Sequence, residues 1–320
     1  MALEPKHSNG ALLSTWGGLI GLVLIGRFKL PVQHYLYFYI PLVFLIAGRF
    51  GSLLQLIHEA SHRLLSNNKN QNDFIGTYFC ALPVGVFFDG YVKGHLLHHA
   101  WTNTEKDPKA DTEKYRVTDC RDPKLYLLFL KDILGITALN IFFAYKGNGE
   151  KPESGKRKPL ISLGQLCLVQ FLILGVLFGF QIKDYFLFWL FHAISPHMFL
   201  MRIRGIAEHG LARQKGIEIK EPSEGNFYTR SFFTSMSHYR FLPLVWMERI
   251  LIGSLSVNHH HEHHLFPTVP FYNLKRVHER VGPLVRAQNP DVYAKGYFAA
   301  ALRNMRDPLV LRRLNPVPGV

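Results

Sequence analysis

The sequence predicts an all-α integral membrane protein, with about four transmembrane helices in two hairpins and a cytoplasmic helical cap that carries clustered histidines. Three observations lead to this class. The apolar residues gather in long uncharged runs, the charges collect between those runs, and most of the histidines crowd into three short stretches beside them. Composition alone does not decide, since 48% hydrophobic residues in 320 is still within reach of a soluble chain.

The clearest span is residues 160–180, "LISLGQLCLVQFLILGVLFGF", which contains no charge and is long enough to cross the hydrocarbon core. After a polar break at Lys183 and Asp184, residues 185–201 return as "YFLFWLFHAISPHMFLM" and end at Arg202 and Arg204. Residues 11–26 and 35–48 form a shorter pair ahead of them. A secretory signal peptide would give residues 11–26 a similar look behind Lys6, but a second apolar run follows at once and no small-residue cleavage site stands out. Lys and Arg near span ends mark the cytoplasmic side. "KPESGKRK" before the third helix and "RIR" after the fourth place those ends inside, while Arg27 and Lys29 oppose Arg49 and Arg63 in the first pair. An even number of spans then puts both termini in the cytoplasm.

The cysteines, Cys80, Cys120 and Cys167, include no C-x-x-C pair, which excludes a disulfide framework and cysteine-ligated zinc or iron–sulfur sites within the chain. A net charge of +14 suits positive-inside loops, an anionic leaflet or an acidic soluble partner. No nucleic-acid-binding motif accompanies it. Residues 148–159, "NGEKPESGKRKP", are the best linker candidate.

Seventeen histidines are present. "HEASH" supplies His58 and His62, "HLLHH" supplies His95, His98 and His99, and "HHHEHH" repeats the H-x-x-H-H spacing at His260, His263 and His264. Random placement yields H-x-x-x-H about once in such a chain but H-x-x-H-H only roughly 0.05 times, so two copies of the latter carry the weight. On a helix, residues i, i+3 and i+4 share one face, and each motif delivers its imidazoles in one direction. Eight convergent rings exceed the three protein ligands of a catalytic zinc and suit two metals; imidazole alone does not choose among Zn, Cu, Fe and Ni. "HEASH" taken alone also fits H-E-x-x-H, with Glu59 as the base of a zinc protease, but that reading leaves both H-x-x-H-H clusters idle. A metal transporter would place ionisable residues inside several spans, and here the third span has none.

Depth follows from length. A helix running from about residue 35 to His62 is roughly 42 Å long at about 1.5 Å per residue. Against a hydrocarbon core of about 30 Å, it carries His58 and His62 beyond the membrane boundary near Arg49. The second and third clusters each follow a glycine-broken apolar stretch of interfacial character, "ALPVGVFFDGYVKG" and "PLVWMERILIGSLSV".

In "HEASH", "GHLLHHAWTNTEKDP" and "NHHHEHHLFPTVPFYNL", in this order and with membrane helices between the second and third, the sequence resembles the membrane-bound fatty acid desaturase and hydroxylase family. The likeness covers about residues 35–280 of one membrane domain, leaving 281–320 as a C-terminal cytoplasmic tail. It implies a non-haem diiron centre, molecular oxygen as cosubstrate and electrons from an external donor. It also implies a further histidine ligand just after the fourth helix, for which "RIRGIAEHG" offers His209. His192 and His197 lie deeper and are expected to pack or line a cavity. Under this resemblance Glu59, Glu208, Glu262 and Asp107 are expected to accept the free N–H of ligand histidines, with Asp111 a further candidate. His259 and His261 lie off the ligand face, and His238 and His278 receive no role.

The activity implied is O2-dependent introduction of a double bond into a fatty acyl chain, lipid- or CoA-linked. Hydroxylation of an acyl, sphingolipid or carotenoid substrate uses the same site and stays open. No haem-binding His-Pro-Gly-Gly segment and no dinucleotide glycine loop is present, so a ferredoxin or a cytochrome b5-like protein is the expected donor.

Overall fold

The structure, a computed structural model, describes residues 3–28, 35–102, 107–108, 120–147, 159–214, 235–236 and 242–306. Lys29, Asp111, His238 and linker residues 148–158 lie outside the described residues. Among the described residues the fold is helical apart from one two-residue parallel ladder, Ser235–Met236 (β1) with Tyr293–Ala294 (β2).

In chain order come α1 (Pro5–Phe28), α2 (Tyr35–Ser61), α3 (Lys69–Phe74, continued by a π-turn at Ile75–Ala81) and α4 (Phe88–Trp101). They are followed by α5 (Pro123–Ile133), α6 (Ile136–Gly147), α7 (Pro159–Phe178), α8 (Ile182–Tyr185), α9 (Phe191–Ile194) and α10 (Pro196–Gln214). The remainder is α11 (Leu242–Leu251), α12 (His260–Leu265), α13 (Phe271–Gln288) and α14 (Tyr297–Asn304).

Among the described residues three segments, Pro5–Phe28, Tyr37–Ser61 and Ile182–Gly210, are long and apolar enough to cross a membrane. The number rises to five if each of two bent pairs, Lys69–Val84 with Phe88–Trp101 and Pro123–Ile133 with Ile136–Phe142, is one span. The run at 160–180 forms α7, whose apolar part, Leu163–Phe178, is a shorter helix. The sequence pattern therefore locates four apolar helices, whereas the two bends of 99° and 79° arise at breaks that hydropathy does not register.

The chain separates into two compact units. The first comprises Met1–His95 and Lys131–Leu200, and the second Leu96–Leu130 and Met201–Val320.

In the first unit α1 and α2 form an antiparallel hairpin: the Ser8 hydroxyl at the start of α1 donates to Leu64 O just past the end of α2. At the other end Arg27 pairs with Asp184 at 2.9 Å and also donates to Leu177 O, so the last turn of α1 lies beside the end of α7 and the start of α8. Gly26 permits this approach, because a Cβ there would stand 2.6 Å from Phe188 Cε1 and 2.8 Å from Leu42 Cδ2. The core is aromatic and branched-aliphatic, with Leu19, Ile46, Phe50, Leu53 and Trp189 buried and the Trp189 ring 5.1 Å from that of Phe50.

The break after the π-turn frees backbone carbonyls that an apolar surrounding would leave costly. Side chains of the same unit satisfy them. Trp16 Nε1 donates to Phe79 O at 2.9 Å, Gln170 Nε2 to Leu82 O at 2.7 Å, and Trp189 Nε1 to Pro83 O at 3.2 Å. Gly85, at φ +78°, then turns the chain toward α4.

In the second unit a small core of Leu265, Val285 and Val292 joins α12, α13 and the turn before β2. Gly296 precedes α14 without a side-chain cap of its own; Glu248 of α11 supplies one, accepting from Tyr297 N at 2.7 Å and Phe298 N at 3.1 Å. Residues 281–306 of the expected tail are thus folded onto the unit, and Asn304 donates to Ile206 O and Ala207 O of α10.

Candidate metal centre

The first histidine pair sits on the last turn of α2, and the backbone ends that helix sharply. Leu64 N returns to Glu59 O at 3.0 Å and Arg63 N to Ala60 O at 3.0 Å, a Schellman arrangement with Arg63 in the left-handed region at φ 60°. A non-glycine residue there costs about 1–2 kcal/mol. The end is fixed further by Asn72, which donates to Ala60 O at 2.9 Å and accepts from Leu65 N at 3.1 Å. His58 and His62 are thereby held one turn apart on a helix that cannot continue.

The ligand atoms of His58, His62 and His95 lie within 4.8 Å of one another in the first unit. His62 Nε2 and His95 Nε2 stand 2.9 Å apart. His58 presents Nδ1 to Gln55 Nε2 at 3.1 Å and to the buried Glu59 carboxylate at 3.5 Å. Tyr91, one turn before His95, stacks on its ring at 5.6 Å.

The second unit gathers the other six. His98 approaches His209 and His264, each with ring centroids 5.1 Å away, and His99 stacks on His264 at 4.2 Å. His260 lies 4.6 Å from His264 and 4.8 Å from His209 by the same measure. Two further pairs meet through ring nitrogens, His263 Nε2 with His99 Nε2 at 3.1 Å and His260 Nε2 with His209 Nε2 at 3.2 Å. Burial, reinforced by His99, His260, His98 and His263, holds His264 well below the ordinary histidine pKa. It is neutral at physiological pH and keeps a lone pair available.

The acids stand beside this cluster in different ways. Asp107 meets His98 Nδ1 at 2.8 and 3.0 Å through its two oxygens. The Glu208 carboxylate accepts from Arg204 Nε at 2.9 Å and from the Tyr297 hydroxyl at 3.3 Å, with His260 Nδ1 at 3.7 Å. Burial and the neighbouring Glu208 push the Tyr297 phenol well above its usual range, so it stays a proton donor. Glu262 accepts from His278 Nδ1 at 2.6 Å and from the Tyr293 hydroxyl at 2.9 Å. Tyr293, Tyr297 and His278 carry no motif that sequence reading singles out, and separations of 31, 89 and 16 residues from their partners hide them; Gln55 and Arg204 stand only three and four residues from theirs.

His192 and His197 are buried in the first unit among aromatic rings, His192 with Tyr39 at 6.5 Å and His197 with Phe50 at 6.4 Å. His261, also buried, neighbours the ligand candidates on α12.

The donor set tests whether metal fits. With metal–nitrogen bonds of about 2.0–2.1 Å, two adjacent ligands of one ion stand roughly 3 Å apart. The three Nε2 pairs at 2.9, 3.1 and 3.2 Å match that spacing. The groups His58, His62 and His95 in one unit, and Glu208, His209 and His260 in the other, can each hold a metal ion.

Residues 35–295 match the family model described as fatty acid desaturase. Among curated proteins the chain is 27% identical to dihydrorhizobitoxine desaturase of Bradyrhizobium elkanii, over 83% of this chain and 72% of that protein. It is 22% identical to a fatty acid desaturase of Bacillus subtilis, over 88% and 78%. With the sn-1 acyl-lipid omega-3 desaturase (ferredoxin) of Synechocystis sp. it shares 24% identity over 83% and 73%.

Proposed function

Because the chain belongs to the fatty acid desaturase family, we propose that it is a multi-pass membrane oxidoreductase that introduces a double bond into a fatty acyl chain, lipid- or CoA-linked. The observation that carries this reading is the set of nine histidines, His58, His62, His95, His98, His99, His209, His260, His263 and His264, of which six converge in one cluster, four of them buried. Glu59, Asp107, Glu208 and Glu262 support them.

These nine residues would hold two non-haem irons, which supply the activation of O2 needed to attack an unactivated C–H bond. Overall, two hydrogens leave adjacent carbons of the chain; with two electrons and two protons from a donor, one O2 becomes two waters. The protein's own part is orientation and exclusion. Asp107 keeps the His98 proton on Nδ1, leaving Nε2 as the donor atom. Buried Leu53, Leu56 and Ile57 seal the turn of α2 that precedes His58 and exclude water from the site.

The electron donor in this reading is a soluble ferredoxin or cytochrome b5-like protein. The Synechocystis relative carries ferredoxin in its name, and a net charge of +14 suits an acidic partner. The site and both termini face the cytoplasm, on the positive-inside argument. One observation favours a second substrate class: the relative from Bradyrhizobium elkanii is named for dihydrorhizobitoxine and not for an acyl lipid.

The deciding experiment is fatty acid analysis of cells expressing the protein beside cells expressing His98→Ala, with iron content and Mössbauer spectra of the purified proteins. A new unsaturated fatty acid present only with the intact protein, and two coupled irons per chain, are expected. An unchanged profile with two irons shifts the substrate to another class, and one zinc without iron overturns the oxidoreductase reading.

A further inference from the structure

Helix α12 spans only His260–Leu265, far below the length at which a helix is stable by itself. Three of the proposed ligands nevertheless project from it at i, i+3 and i+4. Their aim therefore depends on what grips the rest of the helix. Glu262 lies on another side of the same turn, is fully buried, and is held from two later elements: His278 of α13 at 2.6 Å and Tyr293 of β2 at 2.9 Å, both on Oε1.

The surroundings are shaped for this grip. The His259 ring lies against His278 at 4.8 Å, and the Tyr293 ring meets His278 edge-on at 5.2 Å. The Arg286 guanidinium stacks over Tyr293 at 5.1 Å. Gly282 leaves the room that the imidazole occupies, since a Cβ there would stand 3.3 Å from His278 Nδ1 and Cε1.

His259, Glu262 and His278 also have ligand atoms within 4.8 Å of one another, the spacing of a possible metal group. The 2.6 Å separation of His278 Nδ1 and Glu262 Oε1 decides between the two readings. It is a charge-assisted hydrogen-bond length, and shorter than the roughly 3 Å between adjacent ligands of one ion. The group is a hydrogen-bonded clamp.

We propose that His278, with Tyr293, is a positioning residue: through Glu262 it fixes the orientation of α12 and so the aim of His260, His263 and His264 at the metal site. The inference rests on the diiron reading of that site.

The test uses the full-length protein in detergent, stripped of metal and titrated with Co2+, whose visible absorption reports ligand geometry. His278→Ala is expected to weaken Co2+ binding about 10–100-fold and alter the spectrum, the usual effect of losing an outer hydrogen-bond partner. His278→Asn restores most of the affinity, because its side-chain amide nitrogen can take the place of Nδ1, and Tyr293→Phe gives an intermediate loss. If His278→Ala does not fold, the Asn and Phe variants carry the test.

A purely structural role gives a different pattern. His278→Ala would then be poorly produced, while the molecules recovered bind Co2+ with the affinity and spectrum of the unmodified protein; that result overturns the proposal. So does an additional metal equivalent bound by the unmodified protein and lost in His278→Ala. Failure of the diiron reading is separate, since it shows as an unmodified protein that binds no pair of metals at all, and it removes both.

Discussion

Removing the carboxylate of Asp107 tests the site at a direct contact with a proposed ligand, His98. The pair is two-pronged, 2.8 and 3.0 Å from one ring nitrogen. It is also dry: His98 is 1% exposed and Asp107 4%. Asp107→Ala leaves a buried N–H with no acceptor and frees the ring to take the other tautomer, in which Nε2 carries the proton and cannot bind metal. Loss of such a partner costs about 10–100-fold in metal affinity or activity, equivalent to roughly 1.4–2.7 kcal/mol. Asp107→Asn keeps an acceptor oxygen and hence the tautomer, losing only the charge, so its effect belongs at or below the lower bound. The assay follows iron release from purified protein to a coloured chelator, alongside product formation. Release is expected to be fastest for Ala, intermediate for Asn and slowest for the unmodified chain. Equal release and equal product in all three would refute the role assigned to Asp107.

Glu248→Ala removes the acceptor for two N–H groups at the start of α14. Hydrogen bonds to a buried carboxylate contribute about 1.5–3 kcal/mol, so the melting temperature in detergent should fall clearly; an unchanged melt would show that water replaces the cap. Gly26→Ala forces a methyl to within 2.6 Å of Phe188 and 2.8 Å of Leu42. Overpacking of this kind costs about 1–3 kcal/mol, read as a lower melting temperature and faster proteolysis, and wild-type behaviour would mean that the hairpin opens without strain. If an acidic donor docks on this basic chain, initial rates at subsaturating donor should drop as salt is raised past the point where the Debye length is about 8 Å. Rates indifferent to salt would remove electrostatic docking from the account.

What sequence could foretell here divides by the range of the interaction. Helix α2 ends at Ser61, within a residue of where the apolar run and "HEASH" place it, because hydropathy and helical spacing are local properties. The H-x-x-H-H repeats were legible for the same reason. The bent pairs were not: the bend of 99° after Val84 depends on Trp16, Gln170 and Trp189 reaching carbonyls 63 to 106 residues away. None of these side chains announces that task in its own neighbourhood.

The same rule separates the acids. Asp107 lies nine residues from His98, and its role could be suspected from proximity alone. Glu262 and Glu208 could be noticed for sitting beside histidines, but not their partners. His278 is 16 residues from Glu262, and Tyr297 is 89 from Glu208. Both partners come from the region after residue 270, where no motif marks them. Histidines that bind metal must cluster in sequence when short helices deliver them, because one helix face supplies several ligands at once. The groups that aim those helices have no such constraint, and only folding brings them to the site.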